Sequence, residues 1–109
     1  MVEPILGPVN LRPYLSDHTF TDSTGVQRPL ISSVFVGGES GVNARLCDFG
    51  WVLSLYLQCV EYGISFTFHQ TGARLRKGGR EYRIPRELQV AQAQKAGLDF
   101  DGERMVGWL

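Results

Sequence analysis

Two cysteines and two histidines in 109 residues leave little from which to build a metal centre or a redox pair. Cys47 and Cys59 flank one predicted helix, which would hold them roughly 18 Å apart, beyond the reach of a disulfide. A reduced pair of thiols is expected. Charge of one sign is missing too, because 11 basic and 11 acidic residues cancel. No overall charge therefore draws the chain to nucleic acid, a membrane or an acidic partner, and any electrostatic argument must be local. Apolar runs are far shorter than the roughly 20 residues that span a bilayer. Met1-Val2-Glu3-Pro4 has neither the charged start nor the apolar stretch of a secretory signal, so a cytoplasmic location is expected. Internal repeats, heptads and low-complexity tracts are absent as well.

What remains is enough for one core, and a single α/β domain over residues 1–109 is expected. Residues 2–6 form an apolar run stopped by Gly7-Pro8, which predicts a buried strand. Residues 10–15 predict a helical turn, and the polar stretch 16–29 predicts an exposed loop. A second strand is expected over 30–36. Asp48 is placed to cap a helix over 49–62, with Gly63 to close it. Residues 64–68 are β-branched and aromatic and predict a third strand. Strand, helix and strand at this spacing make a βαβ unit, whose strands run parallel. Gly78-Gly79 suits the turn of a small hairpin over 73–84. A final helix is expected from Pro85 to about residue 96, ahead of Gly97. The last dozen residues, with Met105, Val106, Trp108 and Leu109, either dock or stay loose.

The order and spacing of several motifs carry a more specific likeness. These are Glu3-Pro4-Ile5-Leu6-Gly7-Pro8, Val36-Gly37-Gly38-Glu39-Ser40-Gly41, Ala44-Arg45, Trp51-Val52, Gln58-Cys59, Phe66 and Gln70-Thr71-Gly72. Over most of residues 2–98 they resemble a family of phage and bacterial proteins of unknown function, often described as radical-SAM-like. The resemblance implies that the chain corresponds to the C-terminal part of a longer (β/α) barrel. In the longer members a cysteine cluster for an iron–sulfur centre is implied nearer the N-terminus. That cluster needs three cysteines at close spacing, which this chain lacks. S-adenosylmethionine is the one cofactor the resemblance leaves open, and without the iron much of its anchoring is missing. The chain departs from the family at His69, where relatives tend to carry lysine, and at Tyr56 and Leu57, where their helix is charged.

The fold class expected is thus α/β, a partial barrel of about three parallel strands with flanking helices and a basic hairpin. At the C-terminal edge of such strands ligands are held. Glu3, the loop Gly37-Gly38-Glu39-Ser40-Gly41 and the pair His69-Gln70 all follow strand residues, and with Arg45 they are the candidate ligand-binding set. The loop has two readings: its glycines and amides admit a phosphate or carboxylate paired with Arg45, or they make a sharp turn while Glu39 and Arg45 pair with each other. Glu3, Glu39 and His69 are acceptable metal ligands without a recognisable spacing. His18 lies in the polar loop and carries less weight.

Cys47, just ahead of a helix N-terminus, is placed for a lowered thiol pKa, with His69 as a base. This gives a hydrolase, metal- or cysteine-dependent, as one alternative. Cys59 is expected in the core. Another alternative is contact with nucleic acid through Arg74, Arg76, Lys77, Arg80, Arg83 and Arg86, with Tyr82 among them and Glu81 and Glu87 in partial compensation. On the predicted helix, Phe49, Val52, Leu53, Tyr56, Cys59 and Val60 form a core stripe, and Trp51, Leu55, Leu57 and Tyr62 add apolar surface around the rest. Self-association or a protein partner covering that surface is expected.

Overall fold

The computed structural model describes residues 1–17, 19–21 and 23–101. Its elements run α1 (Arg12–Asp17), β1 (Thr19–Thr21), β2 (Gln27–Pro29), β3 (Ser33–Gly37), β4 (Cys47–Asp48), α2 (Phe49–Tyr62), β5 (Ser65–Gln70), β6 (Arg74–Lys77), β7 (Arg80–Arg83) and α3 (Arg86–Lys95). The protein is α/β, and its sheets close into no barrel among the described residues.

Three segments lie side by side in one direction. β3 pairs with β5 in parallel from Ser33 opposite Ser65 to Gly37 opposite Gln70, with a register shift after Val36. On the other side of β3, Val2 forms a parallel bridge to Val36. The Val2 amide donates to Phe35 O at 2.7 Å, and the Ile5 amide donates to Gly37 O at 2.9 Å. Far along the set, Phe100 returns antiparallel to Phe66. Alternation decides the faces: Val34 and Val36 are buried with Phe66 and Phe68, while Ser33, Phe35 and His69 stay exposed. Both long helices contribute to the buried side, through Val52, Leu55 and Cys59 of α2 and Ala93 of α3. The opposite face carries no helix among the described residues. A parallel set covered on one side only is the arrangement of barrel strands, whose helices lie outside.

α2 starts where Asp48 Oδ1 accepts from the Gly50 amide at 2.7 Å and ends where Ile64 N reaches back to Cys59 O at 2.8 Å. That closure delivers the chain into β5. At the β6–β7 turn both Gly78 and Gly79 take positive φ, 61° and 77°, the combination a two-residue hairpin of this twist requires. α3 begins at Arg86, so Pro85 stands just ahead of the helix instead of within it.

Three expectations are corrected, the first being the strand over residues 2–6, which is reduced to the isolated bridge at Val2 and the Ile5 bond. The stretch 16–29 holds an antiparallel hairpin of β1 and β2, which its polar sequence hides because it shows no apolar alternation. The core face of α2 is rotated from the expected one: Leu55 is fully buried, Leu53 is 37% exposed, and Trp51 and Tyr62 are half-buried against the core. Only Leu57 of the expected outer set remains well exposed. The cover is the chain's own: Leu15 of α1 is in the core, with Val9 and Leu11 beside it. Gln58, inside the same helix, is 1% exposed; its Oε1 accepts from the Leu11 amide at 2.7 Å and its Nε2 donates to Val9 O at 2.9 Å. A buried amide thus clasps the covering segment. His18 and residues 102–109, with Met105, Val106, Trp108 and Leu109, lie outside the described residues.

Candidate functional site

At the C-terminal ends of the parallel segments, six of the candidate residues come together. Glu3 follows the first strand segment, and its carboxylate accepts from Gln70 Nε2 at 2.7 Å. The same carboxylate lies 3.2 Å from His69 Nδ1. Gln70 Nε2 also donates to Gly38 O at 3.2 Å. Ser40 Oγ sits 3.0 Å from Gln70 Oε1 and 3.0 Å from Gln89 Oε1, so its one proton serves either. A side chain at Gly37 would meet the Glu3 carboxyl carbon at 2.8 Å; the glycine makes room for Glu3 on the uncovered face. The Glu3 side chain is 18% exposed and that of His69 is 55% exposed. The imidazole thus receives a carboxylate at one nitrogen and presents the other outward.

The glycine loop resolves in favour of the turn. Its Gly37 amide donates to Val2 O at 3.1 Å and its Gly38 amide to Gln70 O at 3.1 Å, so neither is free to cradle a phosphate. Glu39 and Arg45 clasp each other: the Arg45 amide and Nε reach Glu39 Oε1 at 2.9 and 3.0 Å, and Nη2 reaches Oε2 at 2.8 Å. Those bonds hold the Glu39 carboxyl down at about 2. Because the folded value lies below the ordinary carboxylate range, the pair's contribution is present above that range and fades as pH falls towards 2. Arg45 uses one edge of its guanidinium for this, and its Nη1 remains. Gly41 makes an exposed turn and accepts from the Ala44 amide at 3.3 Å.

The metal reading is corrected by the same bonds, since Glu39 turns to Arg45 while Glu3 turns to His69 and Gln70. Among the described residues no group of three histidines, cysteines or carboxylates is arranged to hold a metal ion. The cysteine reading is corrected by burial. Cys47 is fully buried on β4, which pushes its thiol up to about 12, and Cys59 is pushed up to about 11. Burial overrides the helix dipole, and neither sulfur is a nucleophile at neutral pH. Two buried thiols also do not fit an iron–sulfur cluster, which takes three or more cysteine ligands.

Of the basic set on and beside the hairpin, three of the six residues are engaged. Arg74 Nη2 reaches Glu81 Oε1 at 2.8 Å, Arg76 Nη2 reaches Asp48 Oδ2 at 2.7 Å, and Lys77 Nζ lies 4.6 Å above the Phe49 ring. Asp48 therefore caps α2 with one oxygen and holds the hairpin with the other, which keeps its carboxyl below the usual range.

The sequence reading missed Gln89. It is 2% exposed, accepts from the Thr71 amide at its main-chain carbonyl at 3.2 Å and donates from side-chain Nε2 to Ile84 O at 3.0 Å. Nothing separates it in sequence from Gln92 and Gln94 of the same helix. Gln58 could have been found as the one amide in an otherwise apolar helix.

No helix among the described residues is long and apolar enough to cross a membrane. No curated protein and no solved structure matches the chain. A family model described as "Protein of unknown function (DUF5131)" matches residues 1–107, and the chain belongs to that family.

Proposed function

We propose that this chain is a binding protein that seats a small anionic molecule at the C-terminal rim of its parallel strands. The observation that carries this reading is the convergence of Glu3, His69 and Gln70 on the uncovered face, from segments 66 residues apart in sequence. What the rim leaves free defines the ligand: the Glu3 carboxylate accepts, Nη1 of Arg45 donates, and the second nitrogen of the neutral His69 ring, whose Nδ1 donates to Glu3, accepts. A carboxylate or phosphate together with a hydroxyl or amine meets that set. The chain supplies no thiolate and no cluster ligands, so radical chemistry of the kind the radical-SAM likeness suggests is not assigned to it, and S-adenosylmethionine enters only as one candidate ligand. Burial of Leu55 removes much of the surface on which self-association was expected, and the uncovered sheet face is the better place for a second copy or a partner protein. With Arg74 and Arg76 held by carboxylates, contact with nucleic acid has less support than the rim.

The test is a thermal-shift screen with nucleotides, amino acids and S-adenosylmethionine. A ligand at a hundred times its Kd adds about 2.7 kcal/mol of stability, so a rise of several degrees is expected with at least one compound. That rise is expected to vanish in Glu3→Gln and His69→Ala with the unliganded Tm little changed. A response indifferent to both substitutions, or no response throughout, would remove the rim as the seat.

A further inference from the structure

A cleft lies off the rim, behind the C-terminal end of β5. It measures about 450 Å³ and is enclosed by the start of α2, the β6–β7 hairpin and α3. Its floor is aromatic and aliphatic, built from Phe49, Phe68 and Leu75, with Leu88 of α3 and Ala96 just after that helix as one wall. Among the described residues Lys77, Arg83 and Lys95 line it and no carboxylate does. Among the described residues none of these three cations is in an ion pair. Glu81 of the hairpin is taken by Arg74, and Asp48 of the neighbouring β4 by Arg76. In a chain whose charges cancel overall, three cations without an ion pair around an apolar hollow, of which Arg83 feels the field of Glu81, are a local excess that suits an anion.

From this geometry we infer that the cleft is a second site, which binds a small molecule with a planar aromatic body and one anionic group. The volume lies in the range of small-molecule sites, and apolar lining with a few charged groups is their usual composition. Phe49 and Phe68 meet at 6.3 Å with their planes tilted by 54°; Phe68 is buried, so the partly exposed Phe49 is the ring an aromatic body would meet. Lys77, already over the Phe49 ring, is placed to meet the ligand's charge where its ring lies. Arg83 adds a planar fork suited to carboxylate, sulfonate or phosphate. Phe68 faces the cleft while His69, next in β5, faces the rim, so the two sites sit on opposite sides of one strand and are separable by mutation.

Anilinonaphthalene sulfonate is the probe, titrated by calorimetry and fluorescence into the full chain. One saturable equivalent is expected. Neutral phenylnaphthylamine, which keeps the rings and lacks the sulfonate, is expected to bind at least tenfold more weakly. Charge reversal at Arg83 and Lys95 together is expected to weaken the sulfonate tenfold or more, whereas Arg80→Glu at the hairpin tip leaves it unchanged. Equal affinity of charged and neutral probes, non-saturating uptake, or indifference to the double reversal would overturn the site. The comparison of the two probes on the unaltered chain stands even where the double variant fails to fold.

Discussion

Alanine at Leu55 is expected to cost about 2–5 kcal/mol, and alanine at Leu57, two residues on, no more than about 0.5 kcal/mol. Leu55 is fully buried, in one cluster with Val52, Cys59, Phe66 and Ala93, whereas Leu57 is 53% exposed. Removing the Leu55 side chain loses the transfer free energy of its carbons and leaves a hole that close-packed neighbours refill only in part. The check is urea unfolding of both variants, read as midpoints at constant slope. Equal losses at the two positions would mean that both faces of α2 are covered in solution, and a loss at Leu57 alone would contradict the burial of Leu55.

The second large effect lies at the seam between the glycine loop and the end of β5. At Gly38 an added Cβ would collide with the Thr71 carbonyl oxygen and lie 2.8 Å from its carbon. Across the seam, a Cβ at Gly72 would lie 2.7 Å from the Glu39 nitrogen, on a residue whose φ is +78°. The obstacles are backbone atoms held from both sides, by the Gly38 amide on Gln70 O and the Ala73 amide on Glu39 O. Neither strand end can step back alone. Gly72→Ala is expected to lose about 3 kcal/mol, from left-handed backbone at about 1–2 kcal/mol and overpacking at about 1–3 kcal/mol. Gly38→Ala is expected to lose at least about 2 kcal/mol by overpacking alone. Gly7→Ala, with open space around it and ordinary φ, is the control and stays within about 0.5 kcal/mol. Thermal denaturation of the three variants checks the order, and Gly38→Ala as stable as Gly7→Ala would contradict the close approach.

The same particulars show which parts of the molecule are legible in sequence. The parallel strands and α2 are announced by local signals: apolar runs ended by glycine, Asp48 before the helix and Gly63 after it. The C-terminal rim follows from direction alone, and Glu3, His69 and Gln70 do meet there. The buried face of α2 is not legible, because the helix is apolar on most sides and what covers it comes from residues 9–15, joined to it by Gln58. The loop's two readings are also beyond local pattern. Whether a glycine admits a ligand or another backbone depends on Thr71 and Gly72, more than 30 residues later. The basic cleft draws its lining from α2, β5, the hairpin and α3, so no single window of sequence contains it.

The central claim is that the first and third parallel segments bring Glu3 against His69 on the uncovered face. The most direct measurement is a nuclear Overhauser spectrum of the labelled protein, read between the Glu3 side-chain protons and the His69 ring protons. With the carboxylate 3.2 Å from Nδ1, cross-peaks between these residues are predicted, together with slow exchange of the Gly37 amide that is bonded to Val2. A Glu3 side chain without any contact to His69, beside a freely exchanging Gly37 amide, would contradict the assembly of the rim.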